Sequence, residues 1–241
     1  MKRKYRKELT RNEIIRVAVN SFLKEGYSKT TFGSISKTLK ISPGNITFHF
    51  NTKEYLLAEL VDMLCKYQRK RMDEETKEGN SSVMAICLEL LTIASACEQD
   101  EVVKEFFLAS YMSPLSMEII RKSDKERAKE AFEEYCQGWR EEQFTEAGIL
   151  VSGIEYSILL TTETTISLEK RIAGALNAIL NIYNVPEETR KLKIEKVLAM
   201  NYKEIGLKVL EEFRGFVEKE TEQTLQELLT KNLLNKNTTR E

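Results

Sequence analysis

Residues 26–57 read GYSKTTFGSISKTLKISPGNITFHFNTKEYLL, and the punctuation of this stretch sets the expected fold. Gly26 supplies a stop for the helix before it, because glycine accepts the left-handed backbone that ends helices. The Thr30–Thr31 pair offers a hydroxyl cap for a short second helix that carries Ile35 and Leu39 inward. A tight turn follows at Lys40–Ile41. Ser42 then Pro43 is a helix cap followed by proline at the first helical position, the preferred order. A brief third helix, Pro43–His49, is therefore expected, with Ile46 and Phe50 as its anchors. Asn51 or Thr52 caps a fourth, longer helix running from Lys53 to about residue 71.

Upstream, Thr10 with Glu13 three residues on reads as a capping box. It opens a first helix whose inner face is Ile14, Val17, Ala18, Ser21 and Phe22, a helical period. Three short helices in residues 10–50, the second and third joined by a tight turn, make a helix-turn-helix layout. A basic tail, MKRKYRK, precedes them. Residues 1–53 hold 12 Lys and Arg against 3 Asp and Glu, a net charge of +9, whereas the rest holds 25 against 35, a net of −10. A basic front on an acidic body is the footprint of a molecule that sets one end on a polyanion.

From Ile14 to Leu57 the chain resembles the N-terminal domain of the TetR family of bacterial regulators. The resemblance rests on Phe22…Gly26-Tyr27, Thr30-Thr31, Ile35-Ser36, Ile41-Ser42-Pro43-Gly44, Ile46…Phe48-His49-Phe50 and Lys53-Glu54…Leu56-Leu57, in the family's order and spacing. Three positions depart from the pattern. Ser36 stands where alanine is usual. Lys40 stands where glycine is common, so either it takes a positive φ or the turn adjusts. Thr47 replaces a tyrosine that reaches a phosphate. The resemblance implies an operator-binding homodimer with a ligand-responsive helical body.

The major groove admits one α-helix and displays a readable pattern of donors and acceptors. The third helix is the candidate reader. Gly44 lets the backbone come close, Asn45 suits bidentate pairing with adenine, and Thr47, Phe48 and His49 complete the contact set with Ser42 and Pro43. Phosphate contacts are expected from Thr31 and Lys53, near helix N-termini. The tail residues Lys2, Arg3, Lys4 and Arg6 would enter the minor groove or follow the backbone.

Beyond residue 71 the polar DEETKEGNSS reads as a loop. Helical patterns resume at about 82–98, 100–112, 115–136, 140–162, 167–184 and 187–217, with a polar frayed tail after about 233. The last carries a stripe of Ile194, Leu198, Tyr202, Ile205, Val209, Phe213 and Phe216. An effector pocket is expected between the far end of the fourth helix and residues 82–136, lined by Met84, Cys87, Leu91, Phe107, Tyr111, Met112, Met117, Tyr135 and Trp139. Flexible methionines and aromatic rings suit an apolar or amphipathic ligand. A dimer interface is expected on late helices, at Ile149, Ser152, Gly153, Tyr156, Ile172, Leu176 and Ile179. By the resemblance, two such helices per subunit make a four-helix contact.

The expected class is all-α: a DNA-binding domain at 1–53 and a helical effector-binding and dimerisation domain at 54–241. Of the 241 residues 41% are hydrophobic and 31% charged, with 10 Gly and 3 Pro, as befits a soluble helical protein. The four cysteines, Cys65, Cys87, Cys97 and Cys136, sit apart in apolar helical patterns and read as reduced core thiols. No catalytic signature or phosphate-binding glycine loop occurs, and a single histidine closes off most histidine chemistry. No enzyme, metal or cofactor is expected, and neither is a membrane span. The expected function is a TetR-family transcriptional regulator, a ligand-responsive repressor acting in the cytoplasm on the nucleoid. The alternative is a helical ligand- or partner-binding protein that has lost specific operator binding.

Overall fold

The computed structural model describes residues 2–76, 82–161 and 165–237, with side chains described at 7–76, 82–161, 165–227 and 230. Among these the chain is all helix. Eleven helices follow one another: α1 (Lys2–Lys24), α2 (Phe32–Leu39), α3 (Pro43–His49), α4 (Lys53–Thr76), α5 (Val83–Gln99), α6 (Glu101–Met112), α7 (Pro114–Ala131), α8 (Glu141–Leu160), α9 (Leu168–Ile182), α10 (Glu187–Leu198) and α11 (Tyr202–Asn237). Many starts carry a hydroxyl or carboxylate cap. Ser82 Oγ accepts from Ala85 N–H, Asp100 from Val102 N–H, and Ser113, just before Pro114, from Ser116 N–H.

Helix α5 is the hub. Its sequence, VMAICLELLTIASACEQ, is apolar around nearly its whole circumference, and a helix of that kind is stable only when buried on every side. It packs against α4, α6, α8, α9, α10 and α11. Helix α11 approaches it closely at Gly206, where a Cβ would lie 2.6 Å from the carbonyl oxygen of Thr92. Helix α1 joins the front end to the body through α4, α6 and α11.

Several boundaries differ from the sequence reading, α4 reaching Thr76 and the last helix reaching Asn237 among them. Helix α1 starts at Lys2, not Thr10, so the Thr10–Glu13 pair lies inside a helix. The tail has no glycine or proline, and its Lys, Arg, Glu and Leu are strong helix formers. The stretch read as one helix over 187–217 breaks at residues 199–201, and its stripe is divided between α10 and α11. Asn201 stands just before α11: its carbonyl accepts the first bond of that helix, from Ile205 N–H, and its side-chain amide is bonded to Glu204. Helix α7 stops at Ala131, and residues 132–138 are turns. The polar loop after α4 lies at 77–81, outside the described residues.

Candidate nucleic-acid interface and effector cavity

Two local devices hold α2 and α3. Thr31 Oγ1 accepts from Ser34 N–H at 3.0 Å and Ser34 Oγ accepts from Thr31 N–H at 3.0 Å, a reciprocal cap. Lys40 closes α2 in the left-handed conformation, φ 54° and ψ 39°, and Ile41 N–H then reaches Ser36 O at 3.1 Å. A positive φ is one of the two outcomes that the lysine in the turn demanded. Below α3, Ile46 and Phe50 are buried. Above it, Ser42, Pro43, Gly44, Asn45, Thr47 and Phe48 are exposed. Helix α3 thus offers a face whose only large apolar group, Phe48, is 64% exposed. Lys7 Nζ stands over that ring at 4.8 Å.

The expected contact residues separate into two groups. Asn45, Thr47 and Phe48 are free to touch a duplex, although Thr47 Oγ donates to Gly44 O at 3.1 Å. Thr31 is exposed, with its hydroxyl engaged in the cap. His49 is half-buried with Nδ1 unpartnered, and burial followed by Lys7 and Arg11 lowers its pKa, which keeps the ring neutral at pH 7. Lys53, expected at a phosphate, is engaged within the protein. Its ammonium donates to Tyr27 O at 2.9 Å and Thr30 O at 3.1 Å, and lies 4.0 Å from the Tyr27 ring centre. The side chains of Lys2, Arg3, Lys4 and Arg6 lie outside the described residues, on a backbone that is helical. Lys37, exposed in the last turn of α2, is a cation the motif reading passed over; the basic excess of the front end was its signal.

A cavity with about 850 Å³ of atom-free space, part of it open to solvent, lies among α4 to α9. Leu64, Cys65 and Gln68 of α4, Ile86, Glu89 and Ile93 of α5, and Phe106, Phe107 and Tyr111 of α6 line one part of it. Asp124, Arg127 and Phe132 of α7 and the following turn, with Glu155 of α8, line another. Burial pushes the Asp124 carboxyl up to about 7, with Glu89 adding to the effect, and raises Glu155 well above the ordinary carboxylate range. Among the described residues no helix is long and apolar enough to cross a membrane.

The family profile for bacterial regulatory proteins of the tetR family matches residues 14–60. The front end is thus similar to the N-terminal domain of that family. A 68-residue stretch is 38% identical to the HTH-type transcriptional regulator QacR of Staphylococcus aureus (strain Mu50 / ATCC 700699). That match takes in 28% of this chain and 36% of QacR, so the chain spans about a third of the curated relative it matches. Among solved structures, a gamma-butyrolactone receptor (an ArpA-like protein) is 18% identical, covering 86% of this chain and 99% of its own, with a TM-score of 0.43. The TetR-family protein CprB of Streptomyces coelicolor, solved with its operator sequence, is 20% identical over 80% of this chain and 96% of its own, with a TM-score of 0.44.

Of the residues expected around an effector, Phe107 and Tyr111 line this cavity. Met84, Cys87 and Leu91 instead fill the core on another side of α5. Met112 is 70% exposed, while Met117 and Tyr135 are half-buried away from the cavity. Trp139 sits one layer out, 6.1 Å from the ring of Tyr183, which does line it. The lining groups missed by sequence reasoning include the polar Gln68, Glu89, Asp124, Arg127 and Glu155. Glu155 had a signal, since it is the only charge in ILVSGIEYSILL, residues 149–160.

The residues expected at the dimer interface also divide. Ile149 is 50% exposed and Gly153 is exposed, whereas Tyr156 is half-buried near the Tyr111 ring. Ser152 is buried, its hydroxyl accepting from Arg121 Nε at 3.1 Å. Ile172, Leu176 and Ile179 belong to the protomer's own core, and Ile179 lines the cavity. The outer side of α9 presents Gly174, Asn177, Ala178 and Asn181 instead, and α8 adds Leu150, Ser157 and Leu160.

Proposed function

We propose that the chain is a ligand-responsive transcriptional regulator that binds an inverted-repeat DNA site as a homodimer. The observation that carries this reading is α3: a short helix anchored by Ile46 and Phe50, with Gly44, Asn45, Thr47 and Phe48 facing solvent at the basic end of the molecule. Asn45 reads a base edge, Phe48 packs on a thymine methyl, and exposed cations such as Lys37 meet phosphates. The match of residues 14–60 to the tetR-family profile supports the same reading. The exposed sides of α8 and α9 pair with those of a second copy, which sets two reading helices about 34 Å apart.

Two levers join cavity and reading head. Helix α4 lines the cavity with Leu64 and Cys65, and its first residue, Lys53, grips the carbonyls of Tyr27 and Thr30. Helix α6 lines it with Phe106 and Phe107, and the neighbouring Glu105 accepts from Ser28 N–H at 2.7 Å. A ligand that displaces either helix changes the spacing of the two α3 copies. A preference of about 1–3 kcal/mol for one state makes a useful switch.

The test is selection of bound fragments from random duplex DNA, followed by the Asn45→Ala variant. An inverted repeat is expected, with a loss of about 1–3 kcal/mol of specific binding on substitution. Recovery of no preferred sequence refutes the reading.

A further inference from the structure

We propose that the cavity takes a lipophilic cation, its positive centre held by Asp124 and Glu155 and an oxygen acceptor on it bonded to Arg127. This names the ligand class for the effector site described above and rests on that reading of the cavity. The charge inventory is the first argument. Glu89, Asp124 and Glu155 line the cavity with one cation, Arg127, whose Nη1 is bonded to Glu89. Glu155 is met by a neutral group, the Tyr111 hydroxyl, which donates to it at 3.0 Å. Neither Asp124 nor Glu155 has an ion pair among the described residues.

Uncompensated carboxylates set deep in a domain are costly, and both are driven toward the neutral form. A bound cation removes that cost. A compact metal ion does not fit the description, because the described residues hold no group of three ligands that converges on one point. The charge must arrive on something that spans the cavity and covers its apolar wall. Phe106, Phe107, Phe132 and Tyr183 supply aromatic surface for such a body, and rings of that kind attract cations.

Arg127 is the second, independent pointer. Its residue is only 6% exposed, yet Nε and Nη2 have no hydrogen-bond partner. Buried donors of that kind are satisfied by an acceptor from outside the chain. An anion in that role meets three carboxylates around one guanidinium. An oxygen atom carried by a cationic molecule meets both requirements.

The test uses the DNA-free, full-length protein and two rigid ions of nearly equal size and opposite sign, tetraphenylphosphonium and tetraphenylborate. Both charges are permanent, so pH does not alter the probes. Binding is read by calorimetry and by the fluorescence of Trp139, the only tryptophan, behind Tyr183. The phosphonium is expected to bind once per protomer and at least about tenfold more tightly than the borate. The Asp124→Asn, Glu155→Gln double variant is expected to lose at least about tenfold in phosphonium affinity. The borate binding as well as the phosphonium, or no phosphonium binding, overturns the proposal. So does a folded double variant that keeps the wild-type preference. The comparison of the two ions in the wild type stands even if the variant does not fold. Because DNA is absent, failure here leaves the operator-binding reading to its own test, and failure there leaves this one intact.

Discussion

Replacing Asp124 with asparagine is expected to make the protein's stability less dependent on pH and to raise it at neutral and alkaline pH. The folded-state pKa of Asp124 is about 7 against an ordinary 3.8, through burial first and Glu89 second, with Arg127 opposing. A carboxyl raised in this way binds more protons folded than unfolded, so stability falls as pH rises between the two values. Integrating that difference gives a loss of roughly 2 kcal/mol between about pH 5.5 and about pH 8. Glu155, also raised, adds a loss of the same sign. His49 works the other way: its lowered pKa favours the neutral ring when folded, so its contribution is lost as pH falls through the window. Comparing wild type and variant cancels the His49 contribution, whereas Glu155, whose pKa Asp124 helps to raise, becomes less perturbed in the variant and adds to the difference. Urea unfolding of each at the two pH values is the assay. The wild type is expected to lose roughly 2 kcal/mol more than Asp124→Asn on going to the higher pH. Equal slopes, or a variant less stable at about pH 8, refute the assignment of a desolvated carboxylate that lacks an ion pair to position 124.

Other substitutions probe the joints. Lys53→Met removes the ammonium that bonds Tyr27 O and Thr30 O, and should cost about 1.5–3 kcal/mol in denaturant unfolding. It should also weaken the response of DNA affinity to a cavity ligand, measured by anisotropy. Gly206→Ala places a Cβ 2.6 Å from the backbone oxygen of Thr92, which cannot swing aside, and should lower stability by about 1–3 kcal/mol. Lys40→Gly relieves a left-handed lysine at φ 54° and should raise the melting temperature through a gain of about 0.5–1 kcal/mol.

Much of the front end was legible because its signals are local. Ser42-Pro43 starts α3, Thr31 caps α2, and Ile46 and Phe50 lie inward, each through a choice made within a few residues. The start of α1 was misplaced for a related reason: a capping box is a local pattern, and an uninterrupted run of helix formers upstream outweighs it. The cavity was legible only in part. Helix α5 is apolar all round, so its period does not say whether Ile86, Glu89 and Ile93 or Met84, Cys87 and Leu91 face the opening. Asp124 sits in KSDKER, which looks like a solvated surface until α7 is packed. The same ambiguity placed Ile172, Leu176 and Ile179 at a dimer interface, when their apolar period records the protomer's own core.

The most direct check on the central idea, that α3 sits in a duplex groove with cations along the phosphates, is a salt titration. Equilibrium affinity of the dimer for its selected duplex should fall by roughly 10³- to 10⁵-fold between about 50 and about 200 mM salt, as expected when about six to ten phosphates are neutralised. Affinity for duplex DNA that is undetectable at the lower salt, or unchanged across the range, contradicts the account.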